Sequence, residues 1–422
     1  MVLSVRIRRT LVSSAVAVTS MWLVGATAGT AAAHPTSDTL YVAAHGSSSN
    51  SGHSCRSAVY SSVGAAVAAA APGATVVVCR GTYAEDVLVN KSLRLEGRHA
   101  TIDATGLENA IQVVASDVSV RGLTLVNANG EGLLVGVDTM ADATLLPPSV
   151  VISDVSIDHV AAINDNKGFN GTENSNCKYP GDCGGGIHLS VTTRSSVRDS
   201  TVVGNSDGIL ITDDYGPASH NLIEDNWVTD NKTECGIVLP SHNSGAVTFD
   251  PTTYAVTGRN PSVGGVFDNI VRDNVTLRNG TAKAPPEFGG GGSGSGIGVF
   301  GSGPGTGAYD NVIKDNYSAG NGMAGFTIHA HLPGGEDVNG NAVLDNKFGT
   351  NNVGGDGYDG PTGPTDYATT GIAVYSAAKV HMTIEDNTIS HNEIGIWLSN
   401  TVTARGLHHN EFHQVTTNVV RG

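Results

Sequence analysis

The sequence predicts an all-β chain that winds into a parallel solenoid, and three observations support this prediction. The first is composition, because the 422 residues include 55 Gly and 32 Asn but only 23 Lys and Arg. Such a chain is rich in turn-forming residues and poor in the charged residues of helical bundles. The second is an internal repeat in the second half of the chain. The third is a series of short alternating apolar runs between the turn residues, which is typical of strands.

In five repeats of the second half, an Asp-Asn dipeptide is followed by a further Asn five residues later. The paired residues are Asn226 and Asn231, Asn274 and Asn279, Asn316 and Asn321, Asn346 and Asn351, and Asn387 and Asn392. Asn tolerates the left-handed backbone of tight turns, and stacked Asn can hydrogen-bond from one repeat to the next. The intervals from Asn205 to Asn226 and from Asn387 to Asn410 indicate a bare unit of about 22 residues. A unit this short cannot bury its own apolar face, so neighbouring units must stack.

Residues 1–33 are predicted to be a secretory signal peptide. Three arginines (Arg6, Arg8 and Arg9) precede a largely apolar stretch, and Ala31-Ala32-Ala33 supplies small residues for cleavage before His34. A membrane anchor is the alternative, and the Arg8-Arg9 pair leaves twin-arginine export open. The signal holds three of the 23 basic residues and none of the 39 acidic ones, so cleavage leaves a net charge of 20 − 39 = −19. We therefore expect a secreted monomer without a membrane span, and this charge argues against a nucleic-acid partner.

The repeat spacing resembles the right-handed parallel β-helix of the pectin-lyase-like superfamily, and most closely its NosD-type repeats. The N-terminal part is also similar to that family, with Leu40–Val42, a short helical stretch at Val63–Ala71 and the apolar run Ala74–Val78. The resemblance implies one β-helix domain over residues 34–422 with an N-terminal capping helix. Residues 34–110 would form the cap and first coils, and residues 111–422 the repeat coils with inserted loops on one face. The superfamily includes lyases, hydrolases, esterases, epimerases and non-catalytic proteins, so the resemblance does not specify the chemistry.

The mature chain contains five cysteines, and an oxidising destination favours disulfides. Cys55 and Cys79 flank a small N-terminal unit, and Cys177 and Cys183 close a short loop. We predict these two disulfides, and Cys235 is the one cysteine outside these predicted pairs. A zinc site is less favoured because no cysteine pair has the tight Cys-x-x-Cys spacing.

The longer repeats carry their extra residues beside the strand that begins with Gly and Ile or Phe. The successive intervals along the series Asn226, Asn274, Asn316, Asn346 and Asn387 are 48, 42, 30 and 41 residues. Insertions gathered beside one strand build loops over one face of a solenoid, and such loops often carry function. By alternation, the second and fourth residues after each Gly face outward, as do some residues just beyond. The histidines, aspartates and aromatic residues of this surface are His188, Phe300, His329, Tyr375, Trp397, Asp213, Asp214, His242 and His331.

We assign His188, Phe300, Tyr375 and Trp397 to substrate binding, because aromatic rings stack on pyranose faces while polar groups hold hydroxyls. The alternative is that these aromatic rings only pack against loops. The candidate catalytic residues are Asp213, Asp214, His242, His329 and His331, as acids, bases or ligands. The alternatives are solvated turn acids for the aspartates and a polar strand end for the histidines. The Gly-His-Gly and Arg-Ile-Lys signatures of polygalacturonases are absent, and no Arg stands in the outward positions, as a pectate-lyase mechanism would require.

Glu336 and Asp337 are candidate metal ligands, beside His329 and His331. The segment Asp337-Val-Asn-Gly-Asn341 resembles the start of a calcium loop, and the acids Asp356, Asp359 and Asp366 form a second acidic segment. The sequence identifies no definite cofactor, and Ca²⁺ stays an alternative.

Three functional hypotheses follow. The first is a secreted carbohydrate-active protein that binds a polysaccharide or other glycan and cleaves it as a hydrolase or lyase. The second is a non-catalytic β-helix that binds a glycan or partner at the cell surface. The third, ranked last because soft ligands are sparse, is a NosD-like role in copper supply.

Overall fold

The computed structural model describes residues 39–137, 144–146, 150–166, 185–283, 291–330, 334–355 and 368–422. These residues belong to one compact unit, Ser37–Gly422. The predicted signal peptide, residues 1–33, lies outside the described residues. Within the described ranges, no helix is long and apolar enough to cross a bilayer.

Parallel strands stack coil upon coil into two long sheets and one short sheet, which confirms the predicted parallel β-helix. Sheet 1 contains eleven strands among the described residues: Val87–Val89, Ile111–Val113, Leu133–Val135, Gly185–Ser190, Asp207–Thr212, Ile237–Ser241, Ile297–Gly301, Phe326–Ala330, Thr370–Ser376, Ile394–Leu398 and Thr417–Arg421. Sheet 3 consists of two-residue strands at Ile152–Ser153, Thr192–Thr193, Ala218–Ser219, Val266–Phe267 and Ala308–Tyr309. An antiparallel hairpin, Val247–Phe249 with Val256–Arg259, lies in the insertion that follows the sheet 1 strand Ile237–Ser241.

Sheet 2 forms the remaining sides of the coils and bends once in most coils. Its strands in the described part of the chain are Thr39–Val42, Thr75–Val78, Gly81–Tyr83, Leu93–Asp103, Val118–Val126, Ser156–Asp158, Ala161–Ile163, Ser196–Arg198, Thr201–Val203, Leu222–Glu224, Trp227–Thr229, Ile270–Arg272, Val275–Leu277, Val312–Lys314, Tyr317–Ala319, Ala342–Leu344, Lys347–Phe348, Val380–Glu385, Thr388–Ser390, Val402–Arg405 and Glu411–His413. The bend falls at the Asp of the Asp-Asn dipeptide, where Asp225 and Asp273 have φ angles of 56° and 57°. Asp tolerates this left-handed region because its short polar side chain can hydrogen-bond locally.

The interior is one continuous apolar cluster that runs along the coils. In sheet 1, Ile237 and Leu239 belong to this cluster, and the equivalent residues of the neighbouring strands do as well. The intervening Val238 is buried but lies outside the cluster. This alternation confirms which residues of the Gly-initiated strands face inward, and it places the second and fourth residues on the outer face.

Buried asparagines stack in three columns at the corners, as the repeat predicts. The backbone N–H and side-chain Nδ2 of Asn226 both donate to Asn274 Oδ1, at 3.0 and 2.9 Å, and Asn274 makes the same two bonds to Asn316. The columns contain Asn221, Asn269, Asn311 and Asn341; Asn226, Asn274, Asn316, Asn346, Asn387 and Asn410; and Asn205, Asn231, Asn279, Asn321, Asn351 and Asn392. Each asparagine thereby satisfies backbone groups that would otherwise be buried without partners.

One expectation about the repeat length was wrong. Asn205 bonds to Asn231, 26 residues later, and not to Asn226. Asn226 instead accepts from Ser200 N, also at a separation of 26 residues. Two asparagine columns run five residues apart, so the interval from Asn205 to Asn226 joined members of different columns. The interval of 23 residues from Asn387 to Asn410 is a true coil.

The N-terminal segment contains helix α1, Val63–Ala69, which packs Val63, Ala66 and Val67 against the interior cluster. The carboxylate of Glu85 accepts hydrogen bonds from the backbone N–H groups of Val63 and Gly64, at 2.8 and 2.9 Å. An anion at the first turn satisfies free N–H groups and stabilises the helix end. That this helix caps the solenoid stays a prediction. The expected Cys55–Cys79 disulfide is present, while Cys177 and Cys183 lie outside the described residues.

Candidate functional site

The outer face of sheet 1 collects most of the polar and aromatic residues that the sequence singled out. Neighbouring strands pair in register, so that Pro240, Phe300, His329 and Tyr375 follow one another along the face. Stacked strands lie about 4.8 Å apart, so this row extends over roughly 14 Å. Phe300 and Tyr375 are partly exposed, whereas His329 is buried.

A buried chain of hydrogen bonds begins at the N-terminal end of this face. Glu131 Oε1 lies 3.1 Å from His188 Nδ1, and His188 Nε2 lies 2.8 Å from Thr212 Oγ1. Both side chains of the Glu131–His188 pair are only 1% exposed. Each ring nitrogen of His188 therefore has a defined partner, which holds the ring in one orientation.

The same chain continues to a second carboxylate–imidazole pair. Asp214 Oδ1 lies 3.0 Å from His242 Nδ1, and Thr212 also hydrogen-bonds to Asp214. Burial is the largest influence on Asp214 and raises its pKa. The charge and hydrogen bond of His242, with the bond from Thr212, together overcome burial and lower the pKa of Asp214 to about 2. Asp214 is therefore ionised at neutral pH, where it orients His242 and stabilises the protonated imidazole.

Asp213 has a different role from its neighbour. Its Oδ1 accepts from the backbone N–H groups of His242 and Asn243, at 2.7 and 3.2 Å. Its Oδ2 accepts from Ser241 Oγ and Gly265 N, at 2.8 and 2.6 Å. Burial raises the pKa of Asp213 despite these bonds. The side chain is fully buried, so it is not a solvated turn acid, and it ties both ends of the 242–265 insertion to the preceding coil.

The aromatic candidates divide into two pairs. The His242 ring lies 6.2 Å from the Phe300 ring, tilted by 55°. The Tyr375 ring stacks on Trp397 at 6.4 Å and 13°. Trp397 is only 3% exposed and packs against the C-terminal Gly422, so Tyr375 is the member of the second pair that presents a ring to solvent.

Glu336 and Asp337 lie just beyond the ends of the sheet 1 strands, where Glu336 packs against Gly301. Asp337 Oδ2 accepts from Arg259 Nε at 2.7 Å, and its Oδ1 accepts from Asn339 N and Nδ2 at 3.0 and 2.8 Å. Donors of the chain itself thus occupy both carboxylate oxygens. This arrangement favours an ion-paired anchor over the expected calcium ligand. Asn341, at the end of the proposed loop, belongs to an asparagine column.

Close groups of metal-binding side chains occur elsewhere among the described residues. They are Asp158, His159 and Asp199, and Glu385, Asp386 and His409, all at the bends of sheet 2. His331, with Asp356, Asp359 and Asp366, lies outside the described residues.

The sequence did not single out Glu131 or Arg259, and it did not identify Thr212 as a hydrogen-bonding residue of the site. A signal for Glu131 exists, because Glu131-Gly-Leu-Leu aligns with the Gly-initiated strands of later coils. The partners of Arg259 leave no local signal, since Asp337 follows it by 78 residues.

Comparisons with known proteins agree with this architecture. A family model described as "Right handed beta helix region" matches residues 109–254. No curated protein sequence matches the chain significantly. The structure resembles pectate lyase Pel9A, with a TM-score of 0.52 and 16% identity over 89% of this chain and 79% of that one.

Two further structures are similar. The A-module of mannuronan C-5 epimerase AlgE4 from Azotobacter vinelandii has a TM-score of 0.50 and 16% identity, over 85% of this chain and 92% of that one. A lacto-N-biosidase of family GH136 from Eubacterium ramulus has a TM-score of 0.54 and 12% identity, over 89% of this chain and 68% of that one. At these identities the likeness is one of fold.

Proposed function

We propose, from the premise that this chain has the right-handed parallel β-helix of the pectin-lyase-like fold, that it is a secreted protein that binds a polysaccharide along the outer face of sheet 1. The observation that supports this proposal is the placement of the Asp214–His242 pair beside Phe300, in line with the partly exposed Tyr375. The partly exposed rings of Phe300 and Tyr375 offer stacking surfaces for pyranose units.

The three similar structures also support a carbohydrate ligand. By their names they are a pectate lyase, a mannuronan C-5 epimerase and a lacto-N-biosidase. These activities differ, so they support the class of ligand and leave the reaction to be tested on this chain.

We propose further that His242 moves a proton in the reaction and that Asp214 positions it. A carboxylate on Nδ1 fixes the tautomer of an imidazole and favours its protonated form, which suits a general acid or base. Because the pKa of Asp214 is about 2, its carboxylate stays ionised down to low pH. It can therefore stabilise the protonated imidazole of His242 over the whole pH range in which we expect the protein to act.

Binding without bond cleavage is the second candidate function, and the burial of the same pair favours it. The side chains of His242 and Asp214 are only 1% and 7% exposed. A structural ion pair at this position would hold the 242–265 insertion in place and would shape a binding face without reacting.

The experiment is an assay of purified protein 34–422 against neutral and acidic polysaccharides, with and without calcium. Reducing ends and ultraviolet absorbance from unsaturated products are followed together. Reducing ends alone indicate hydrolysis, and both signals together indicate β-elimination. No signal across the panel, combined with retention of the protein by a polysaccharide in an affinity gel, supports binding without cleavage.

Matched variants assign the roles. In the catalytic case, His242→Ala and Asp214→Asn lower turnover at least a hundred-fold, since positioned acid–base groups contribute about 10²–10⁴-fold. His220→Ala, at an exposed histidine beside Asp268, leaves turnover unchanged. Tyr375→Ala weakens gel retention, whereas Tyr317→Ala on sheet 2 does not. Equal retention of both tyrosine variants would contradict the proposed binding face.

A further inference from the structure

A cavity lies beneath the hairpin, just beyond the ends of the sheet 1 strands. It has a volume of about 730 Å³, and three segments far apart in sequence line it, around Tyr254, Glu336 and Lys379. This volume falls in the range of about 300–1,000 Å³ that small-molecule sites occupy. The cavity is distinct from the Asp214–His242 pair, neither of which lines it.

The hairpin reaches along the solenoid to form this cavity. It follows the strand Ile237–Ser241, yet it meets residues 377–381, which follow the strand Thr370–Ser376. These strands are three steps apart in sheet 1, a distance of roughly 14 Å at 4.8 Å per strand. The hairpin therefore forms one wall of a cavity that no single coil could supply.

Packing fixes the hairpin in this position. Arg259 pairs with both Asp337 and Asp310, and its guanidinium lies 3.8 Å from the centre of the Tyr309 ring. At the tip, Phe249 and Tyr254 stack at 5.9 Å and 12°. A Cβ added at Gly334 would approach Tyr254 Cβ to 3.0 Å, so the glycine allows a close approach that another residue would prevent.

Tyr254 itself is held in an unusual backbone conformation. Its φ angle is 54°, although bulky residues rarely adopt the left-handed region. The residue is 36% exposed and contributes to the lining of the cavity. Strained residues of this kind concentrate at ligand-binding positions, where the surrounding structure holds them in place.

The charges around the cavity argue for an uncharged ligand. Arg259 and Lys379 are positive, and Glu336 is negative, as are the two acids that pair with Arg259. A ligand with a strong charge of either sign would meet a like charge nearby. Arg259, Asn339 and Lys379 bring N–H donors to the lining, and sugar hydroxyls can accept hydrogen bonds from such donors.

The geometry points to a second sugar-binding site in this cavity, one that takes a neutral pyranose unit stacked on Tyr254. A sugar ring on Tyr254 would be enclosed by both polar and apolar lining residues, which is the mixed environment that sugars require. The site does not depend on the proposed function of sheet 1.

The test uses saturation-transfer NMR of the intact 34–422 protein with cellobiose, xylobiose, mannobiose and N-acetylchitobiose as probes, and with glucuronate and glucosamine as charged probes. We expect transfer to at least one neutral disaccharide. Tyr254→Asn should reduce this transfer at least five-fold, because Asn keeps the left-handed backbone but removes the ring. Tyr317→Asn, a change at a tyrosine exposed on sheet 2, should leave it intact.

Several results would overturn the second site. They are no transfer to any neutral probe, equal transfer in both variants, or transfer to charged probes alone. Transfer that Tyr375→Ala abolishes and Tyr254→Asn preserves would also overturn it, while the proposed function of sheet 1 would survive. Lys379→Gln supplies a second check on the opposite wall, where weaker binding is expected.

Discussion

Asp165 begins the third asparagine column with a carboxyl group in place of the amide. Its backbone N–H donates to Asn205 Oδ1 at 2.8 Å, and its Oδ1 accepts from Ala128 N at 2.9 Å. The residue is 0% exposed, and its Oδ2 has no hydrogen-bond partner among the residues that the structure describes. Burial outweighs the backbone hydrogen bonds and raises the pKa of Asp165 to about 7. The folded chain therefore holds a proton on this group under mildly acidic conditions.

Replacing Asp165 by Asn should change how stability depends on pH. From about pH 4 to about pH 7 the folded wild-type chain keeps the proton and the unfolded chain releases it, so the free energy of unfolding falls as pH rises. Asn has no proton to lose. Asp165→Asn should thus gain stability relative to wild type across this window, by at most about 1.4 kcal/mol per pH unit. Urea unfolding at several pH values measures the difference, and parallel profiles of the two proteins would contradict the prediction.

Asp225 shows the cost of placing like charges at equivalent positions of successive coils. Asp225 stands between Asp199 and Asp273 at the bend of successive coils, and its pKa is raised by burial and then by Asp273, Glu224 and Asp199. Asp230 has nearly the same backbone, with φ angles of 58° and 56° for Asp230 and Asp225. Its pKa is instead lowered, chiefly by the hydrogen bond from Arg278.

The same substitution should therefore have opposite effects at these two positions. Asp225→Asn removes repulsion and should raise the free energy of unfolding at pH 7 by about 0.2–0.5 kcal/mol, since Asn also tolerates the left-handed bend. Asp230→Asn removes an ion pair and should lower it by about the same amount. Both effects should shrink when thermal unfolding is repeated in 1 M salt. Destabilisation by both substitutions would mean that the carboxylates support the bends themselves.

At the scale of elements, the asparagine columns join the coils more specifically than the strands do. Asn274 Oδ1 accepts two hydrogen bonds from Asn226, and Asn274 Nδ2 donates to Ile223 O and Asn316 Oδ1. Its removal would leave several buried polar groups without partners, and each such group is costly.

Asn274→Ala should therefore lower the free energy of unfolding by about 2–4 kcal/mol. Asn400→Ala is the matched control, because Asn400 is exposed near the C-terminus, and it should change stability by less than about 0.5 kcal/mol. Urea unfolding followed by circular dichroism compares the two. A similar small effect for both would mean that strand pairing alone holds the coils together.

The sequence predicted these elements well because a solenoid repeats its local chemistry. Asn at a fixed spacing implies that neighbouring coils stack. The alternating apolar residues beside it imply which face of each strand points inward. The error over Asn205 arose where two columns of identical residues run close together, so that spacing alone could not separate them. The site was harder to predict, because Asp213 and Asp214 are adjacent and alike in sequence. Only the folded 242–265 insertion distinguishes the buried anchor from the partner of His242.

At the scale of the whole molecule, some contacts join residues so far apart in sequence that no local pattern predicts them. His188 meets Glu131 across 57 residues, and Arg259 meets Asp337 across 78. In the sequence alone, the acidic overall charge slightly disfavours a polyuronate ligand and so tilts the prediction weakly towards a neutral glycan. The balanced charges beneath the hairpin agree with that preference at the proposed second site.

The inter-coil hydrogen bonds lie along the solenoid axis, and this direction determines how the molecule would respond to mechanical force. Under tension between its ends, the coils bear load in series and should detach one at a time. The second asparagine column joins residues 26, 48, 42, 30, 41 and 23 positions apart, so each detachment frees a different length of chain. At about 3.4 Å per extended residue, the longest of these coils would release roughly 160 Å and the shortest roughly 80 Å. A force–extension trace would then display the insertion pattern of the sequence as a series of unequal steps.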